Sequence, residues 1–105
     1  MTRTDIVHNI RDVLQRVAPG ATVILFGSEA RGDAHADSDI DVLILLDKEK
    51  ITYQDRKDIN YPLFDIEIET GILVSPKVFS KKQWEGQLSI TPFYNNVMNE
   101  GIVLC

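Results

Sequence analysis

Cysteine is nearly absent from this chain, and long apolar runs are missing. The one cysteine, Cys105, is the last of 105 residues, so no disulfide framework is expected to hold the fold. The longest aliphatic run, Val42 to Leu46, falls far short of the roughly 20 residues that a membrane helix needs. No charged-then-apolar leader opens the chain, and there is no repeat or low-complexity tract. Together these absences predict a cytoplasmic protein without membrane contact. Basic charge is scarce too: eleven lysines and arginines face sixteen acids, for a net charge of −5. Proteins that bind nucleic acid by themselves neutralise phosphates with basic stripes. Here the cations are scattered, so autonomous nucleic-acid binding is excluded.

What is present suits one globular domain spanning residues 1–105. A hydrophobic share of 44% is ordinary for a folded protein, and a chain of this length buries roughly 65% of its unfolded surface. The acids are unevenly placed. Twelve of the sixteen lie between Glu29 and Glu69, so that half would repel phosphates unless cations intervened. Either these acids are solvated, or they hold metal.

Ile6, Ile10, Val13, Leu14 and Val17 recur at helical spacing and predict a helix over 5–17, with Thr4 able to cap it and Pro19-Gly20 ending it. TVILF (22–26) reads as a buried strand. DIDVLILL (39–46) reads as a second one, its inner end apolar throughout as a central strand requires. Residues 52–70 admit two readings. The alternation in DIEIE suits a strand after Pro62, whereas Ile59, Leu63 and Ile66 share a helical face and Gly71 stands where a helix ends. We favour the helix, kinked or interrupted at Pro62. ILVSPKVFS (72–80) follows as a strand, with Pro76 suggesting an edge or bulge. SKKQWEG can add a helical turn, 91–101 is a short helix with Thr at its cap and Pro first, and IVLC is a possible last strand.

Between the first two strands lies GSEARGDAHADS, followed at once by DIDV. Gly27 and Gly32 have P-loop spacing, but Asp33 and Ala34 stand where that motif needs Lys and Ser or Thr. Asp37, Asp39 and Asp41 imitate the first EF-hand ligands, but Val42 and Lys48 occupy the positions of its Gly and Glu. A third chemistry accounts for every residue. Gly27 ends a strand without a side chain, which lets a phosphate approach the backbone. Ser28 can cap the short turn that follows and donate to a phosphate oxygen, and Arg31 offers a forked cation. Asp39 and Asp41, two apart on a strand, project from one face, while Ile40 and Val42 point to the core. Carboxylates so placed resist ionising together unless divalent cations sit between them. Magnesium prefers such oxygen ligands and bridges to substrate phosphates.

The stretch GSEARGDAHADSDIDVLIL closely resembles the G-S-x-A-R-G…S-D-I-D signature of the minimal nucleotidyltransferases in the DNA polymerase β-like superfamily. The resemblance implies an α/β (α+β) fold, a small mixed sheet flanked by helices. It also implies that Gly27 and Ser28 hold a triphosphate, that Asp39 and Asp41 bind two Mg²⁺ ions, and that a nucleoside monophosphate, from ATP by analogy, passes to a hydroxyl. Many such proteins are the antitoxin half of MNT–HEPN pairs, and some adenylylate a tyrosine on the HEPN partner. The family usually adds a third acid on a later strand. If 72–80 is that strand, Ser75 falls at the matching position; if 64–69 is a strand instead, Asp65, Glu67 or Glu69 could supply it. A non-catalytic nucleotide- or partner-binding module is the competing reading.

Bland roles are expected for the neighbours. A surface ion pair with Glu29 or Asp33 competes for Arg31, Ser38 should bond its own loop backbone, and His35 and His8 lack ligand-spaced partners. Trp84, Phe93 and Tyr94 should cover the core rather than stack a base.

Overall fold

The computed structural model describes residues 1–105. Helix α1 runs Arg3–Val17, strand β1 Thr22–Phe26, helix α2 Gly27–Arg31, strand β2 Ile40–Leu46, helix α3 Tyr53–Thr70 and strand β3 Val74–Ser80. Helix α4 (Lys81–Glu85), a 3₁₀ turn (Gln87–Ile90), helix α5 (Pro92–Glu100) and strand β4 (Ile102–Val103) complete the chain.

Helix α1 starts earlier than the apolar spacing predicts, and Thr2 is its cap instead of Thr4. A capping box needs an acid three residues after the cap. Thr2 has Asp5 there, and each side chain bonds the other's backbone N–H, at 3.1 and 3.0 Å. Thr4 has Val7 at that spacing. The same device, Thr52 with Asp55, opens α3. Residues 53–70 form one helix through Pro62, with Ile59, Leu63 and Ile66 buried and Gly71 in the left-handed conformation at its end. Burial of that apolar face decides against the alternating strand pattern.

The strands form one sheet in the order β3-β2-β1-β4. β1 is antiparallel to β2 and β4, and β3 is parallel to β2, as the α3 crossover between them allows. β3 is an edge, which is where Pro76 can be accommodated. Period-two alternation then sorts the side chains. Ile40, Val42, Ile44 and Leu46 pack with α1 and α3 in the larger core cluster. Leu43 and Leu45 face the other way, onto Trp84 and Val97, with Phe79, Phe93 and Tyr94 around them. The aromatic rings thus form the lid of this second layer, Trp84 and Tyr94 lying 4.8 Å apart. Asp41 is the next residue outward on that second face. No helix is long and apolar enough to cross a membrane.

Candidate active site

Helix α2 follows β1 without a linker, and the turn is made at Gly27, whose φ is +74°. The register pairs Phe26 with Asp41, which places Gly27 directly against the Asp41 carboxylate. A Cβ built at Gly27 would overlap Oδ2 and lie 3.2 Å from Cγ. The glycine is therefore required twice, by its backbone conformation and by its neighbour.

Ser28 is not the cap of this turn. Phe26 occupies the cap position and offers no side-chain acceptor, because the helix begins at Gly27 itself and draws Ser28 into the first turn. The turn closes at Gly32, where the Gly32 and Asp33 N–H groups donate to the Ser28 carbonyl at 3.0 and 3.1 Å.

The loop that leads to Asp39 is held by Arg3. Its guanidinium bonds Glu29 at 2.6 Å, the Ala36 carbonyl at 3.1 Å and the Ser38 carbonyl at 2.7 Å. The Ser38 hydroxyl accepts from the His35 N–H at 2.8 Å, while the imidazole of His35 is exposed, as is His8. Asp39 lies one residue before β2, exposed, rather than within the strand. Backbone pairing nonetheless reaches to Ile40, whose N–H donates to the Leu73 carbonyl. Ile40 and Val42 are fully buried.

Asp41 is half-buried, and its surroundings show how the site is wired. Burial pushes its carboxyl above the ordinary range, and the charge of Asp39 pushes the same way. Lys77 and Arg31 pull it down, and Glu100 pushes it up. Arg31 bonds Asp33 at 3.3 Å and Glu100 at 3.0 Å, so it does form a surface pair, although not with Glu29. Glu100, at the end of α5, also accepts from the Gly27 N–H at 3.3 Å.

Asp41 stands opposite Ser75 in the register, and the next β3 residue on that face is Lys77. Asp65 and Glu69 are exposed on α3, and Glu67 accepts from the Val74 N–H at 2.8 Å. As helix residues on the far face of the sheet, none of the three joins Asp39 and Asp41. No cluster of three ligating side chains is present anywhere in the chain. Two carboxylates, one of them exposed, fit an octahedral cation that would keep several waters and draw its other ligands from substrate phosphates. They would not make a closed all-protein cage.

Three residues at or beside the site escape sequence reasoning. Glu100 reaches Gly27 across 73 positions and Arg3 reaches Ser38 across 35, and Lys77 arrives through strand register. None carries a local motif.

Residues 7–102 match the family model for the nucleotidyltransferase domain. A Methanocaldococcus jannaschii protein named as a protein adenylyltransferase is 36% identical over 100 residues, covering 95% of this chain and 88% of that protein. A second of the same name and organism is 34% identical over 82 residues, covering 78% and 75%. Among solved structures, one described as a minimal nucleotidyltransferase is 27% identical with a TM-score of 0.60, covering 97% of this chain and 95% of that one. A toxin–antitoxin structure with AMP-PNP shares the fold at a TM-score of 0.62 and 18% identity, covering 100% of this chain and 73% of that one. With the nucleotidyltransferase domain model matched over nearly the whole chain and both relatives above 30% identity, the chain belongs to the nucleotidyltransferase domain family.

Proposed function

We propose that this chain moves AMP from ATP, with Mg²⁺, to a hydroxyl on a separate protein, the HEPN-type toxin of a pair in which it is the antitoxin. The observation that carries the reading is the approach of the Gly27 backbone to Asp41, with Asp39 beside it. A phosphate that reaches the bare Gly27 backbone lies next to both carboxylates. The names of the two M. jannaschii relatives support protein as the acceptor, and the toxin–antitoxin neighbour with AMP-PNP supports the adenine nucleotide and the pairing.

In this reaction the acceptor oxygen bonds the α-phosphorus, the bond from that phosphorus to the β-bridging oxygen breaks, and pyrophosphate leaves. Asp39 and Asp41 would hold Mg²⁺, which when bound supplies charge neutralisation on the phosphates. Gly27 presents its backbone N–H to the triphosphate, the Ser28 hydroxyl donates to it, and Arg31 spans two of its oxygens. Ser75 and Lys77 offer no carboxylate to take the acceptor's proton. In this reading that proton passes to water or to the acceptor chain.

The absence of an acid at the β3 position opposite Asp41 also favours a second reading, a module that binds nucleotide or partner without efficient transfer. One experiment separates them. The protein is mixed with ATP, Mg²⁺ and the product of the neighbouring gene, and the partner is weighed by mass spectrometry. A gain of one AMP, lost in Asp41→Asn, establishes transfer; an unmodified partner in a complex that still binds ATP establishes the module.

A further inference from the structure

Glu100 brings a third carboxylate to the site from the end of α5, bonded to the Gly27 N–H and to Arg31. Its carboxylate adds a further negative group to a region that already contains Asp39 and Asp41. Its own helix does not need it there. Helix α5 is fixed by Val97, buried in the second core layer, and by Phe93 against Phe26 at 5.3 Å. It is fixed also by Gly101, where an added Cβ would lie 2.5 Å from the Val97 carbonyl and 2.7 Å from Ile24. The helix end cannot shift easily, so displacement of the carboxylate would take a change of side-chain rotamer at Glu100.

The carboxylate spends its two oxygens on two particular donors. Oε1 accepts from the Gly27 N–H at 3.3 Å and Oε2 from Arg31 Nη1 at 3.0 Å. A planar anion bridging a backbone N–H and a guanidinium makes the contacts that a phosphate makes. We propose that Glu100 is an internal occupant of the phosphate position, holding Gly27 and Arg31 until a nucleotide phosphate displaces it. The inference rests on the phosphate role given above to those two residues.

The device has two consequences. Without nucleotide, it keeps the Arg31 guanidinium turned towards the site rather than adrift in solvent. It also competes with the nucleotide, so the apparent affinity is lowered by the fraction of molecules in which Glu100 is seated. Once displaced, its charge points away from the triphosphate.

The test is binding of ATP with Mg²⁺, by calorimetry at low salt, to the wild type, Glu100→Gln, Glu100→Ala and Glu69→Gln. The last removes the same charge from the exposed face of α3. Both Glu100 variants should bind about two- to tenfold more tightly than the wild type, and Glu69→Gln should match the wild type. Arg31→Ala should cost more affinity in the Glu100→Gln background than in the wild type, because there the guanidinium is released from Glu100 and keeps only its Asp33 bond. In transfer assays KM should fall with kcat unchanged. If the wild type binds ATP and Glu100→Gln binds no better, the inference is wrong. A lower melting temperature with unchanged affinity would make Glu100 a plain anchor. Loss of Mg²⁺-dependent binding or of kcat would make it a member of the metal site or a base. If no protein of the set binds ATP, the phosphate role of Gly27 and Arg31 fails, and this inference fails with it.

Discussion

Gly27 packs its Cα against the carboxylate of Asp41, leaving no space for a side chain. The contact joins the two halves of the site, the turn after β1 and the mouth of β2. Gly27→Ala should therefore lower stability by about 1–3 kcal/mol, from the left-handed backbone alone, and should push Asp41 aside. Urea unfolding and ATP titration with Mg²⁺ read the two effects. Unchanged nucleotide binding in a folded Ala variant would remove this contact from the site.

Asp39→Asn and Asp41→Asn should each abolish metal-dependent binding without unfolding the protein. Asp41 has its carboxyl raised by burial and by Asp39. Its folded form thus binds a proton more tightly than the unfolded chain does, and its ionisation detracts from stability as pH rises through the raised value. Neutralising it should leave the melting temperature of the free protein level or higher at pH 7. A large fall in both variants would mark the pair as structural.

Nucleotide binding should require a divalent cation, since the acid-rich site repels a bare triphosphate. Calorimetric titration of ATP with Mg²⁺, repeated in EDTA, checks this. Equal affinity under both conditions contradicts it.

The acids of α3 should be dispensable, because the helix carries them on the other face of the sheet. Asp65→Asn, Glu67→Gln and Glu69→Gln should retain ATP binding, the second because Gln still accepts from Val74. Ser75→Asp places a carboxylate opposite Asp41 and should strengthen Mg²⁺ dependence while lowering the stability of the free protein. Parallel ATP and Mg²⁺ titrations of the four variants decide this.

Stability should fall in acid through the cap of α3. Bonds from the Lys48 side chain and then the Thr52 backbone hold the Asp55 carboxyl down at about 2, below its ordinary 3.8. The unfolded chain takes up that proton first, so the contribution is complete above pH 4 and is lost as pH falls towards 2. Melting curves across that window should be shallower in pH dependence for Asp55→Asn.

Local chemistry was legible in the residues themselves. The spacing of Ile59, Leu63 and Ile66 favours a helix within 52–70 over a strand, and Pro76 points to an edge or bulge in β3, because burial and proline geometry act over a few residues. The turn at Gly27 and the strand that carries Asp41 were legible for the same reason, although the strand starts at Ile40 and leaves Asp39 just outside it. Even the misplaced cap at Thr4 is a local matter, resolved by the reach of Asp5 to Thr2.

What no local pattern could convey is which distant groups meet. Register alone sets Ser75 rather than an acid opposite Asp41, and it brings Lys77 to the same face. The closing of α5 onto β1 delivers Glu100 to Gly27, and the folding of α1 across the loop delivers Arg3 to Ser38. Spacing along a chain encodes faces and caps, whereas the juxtaposition of side chains tens of residues apart is decided only when the two cores pack.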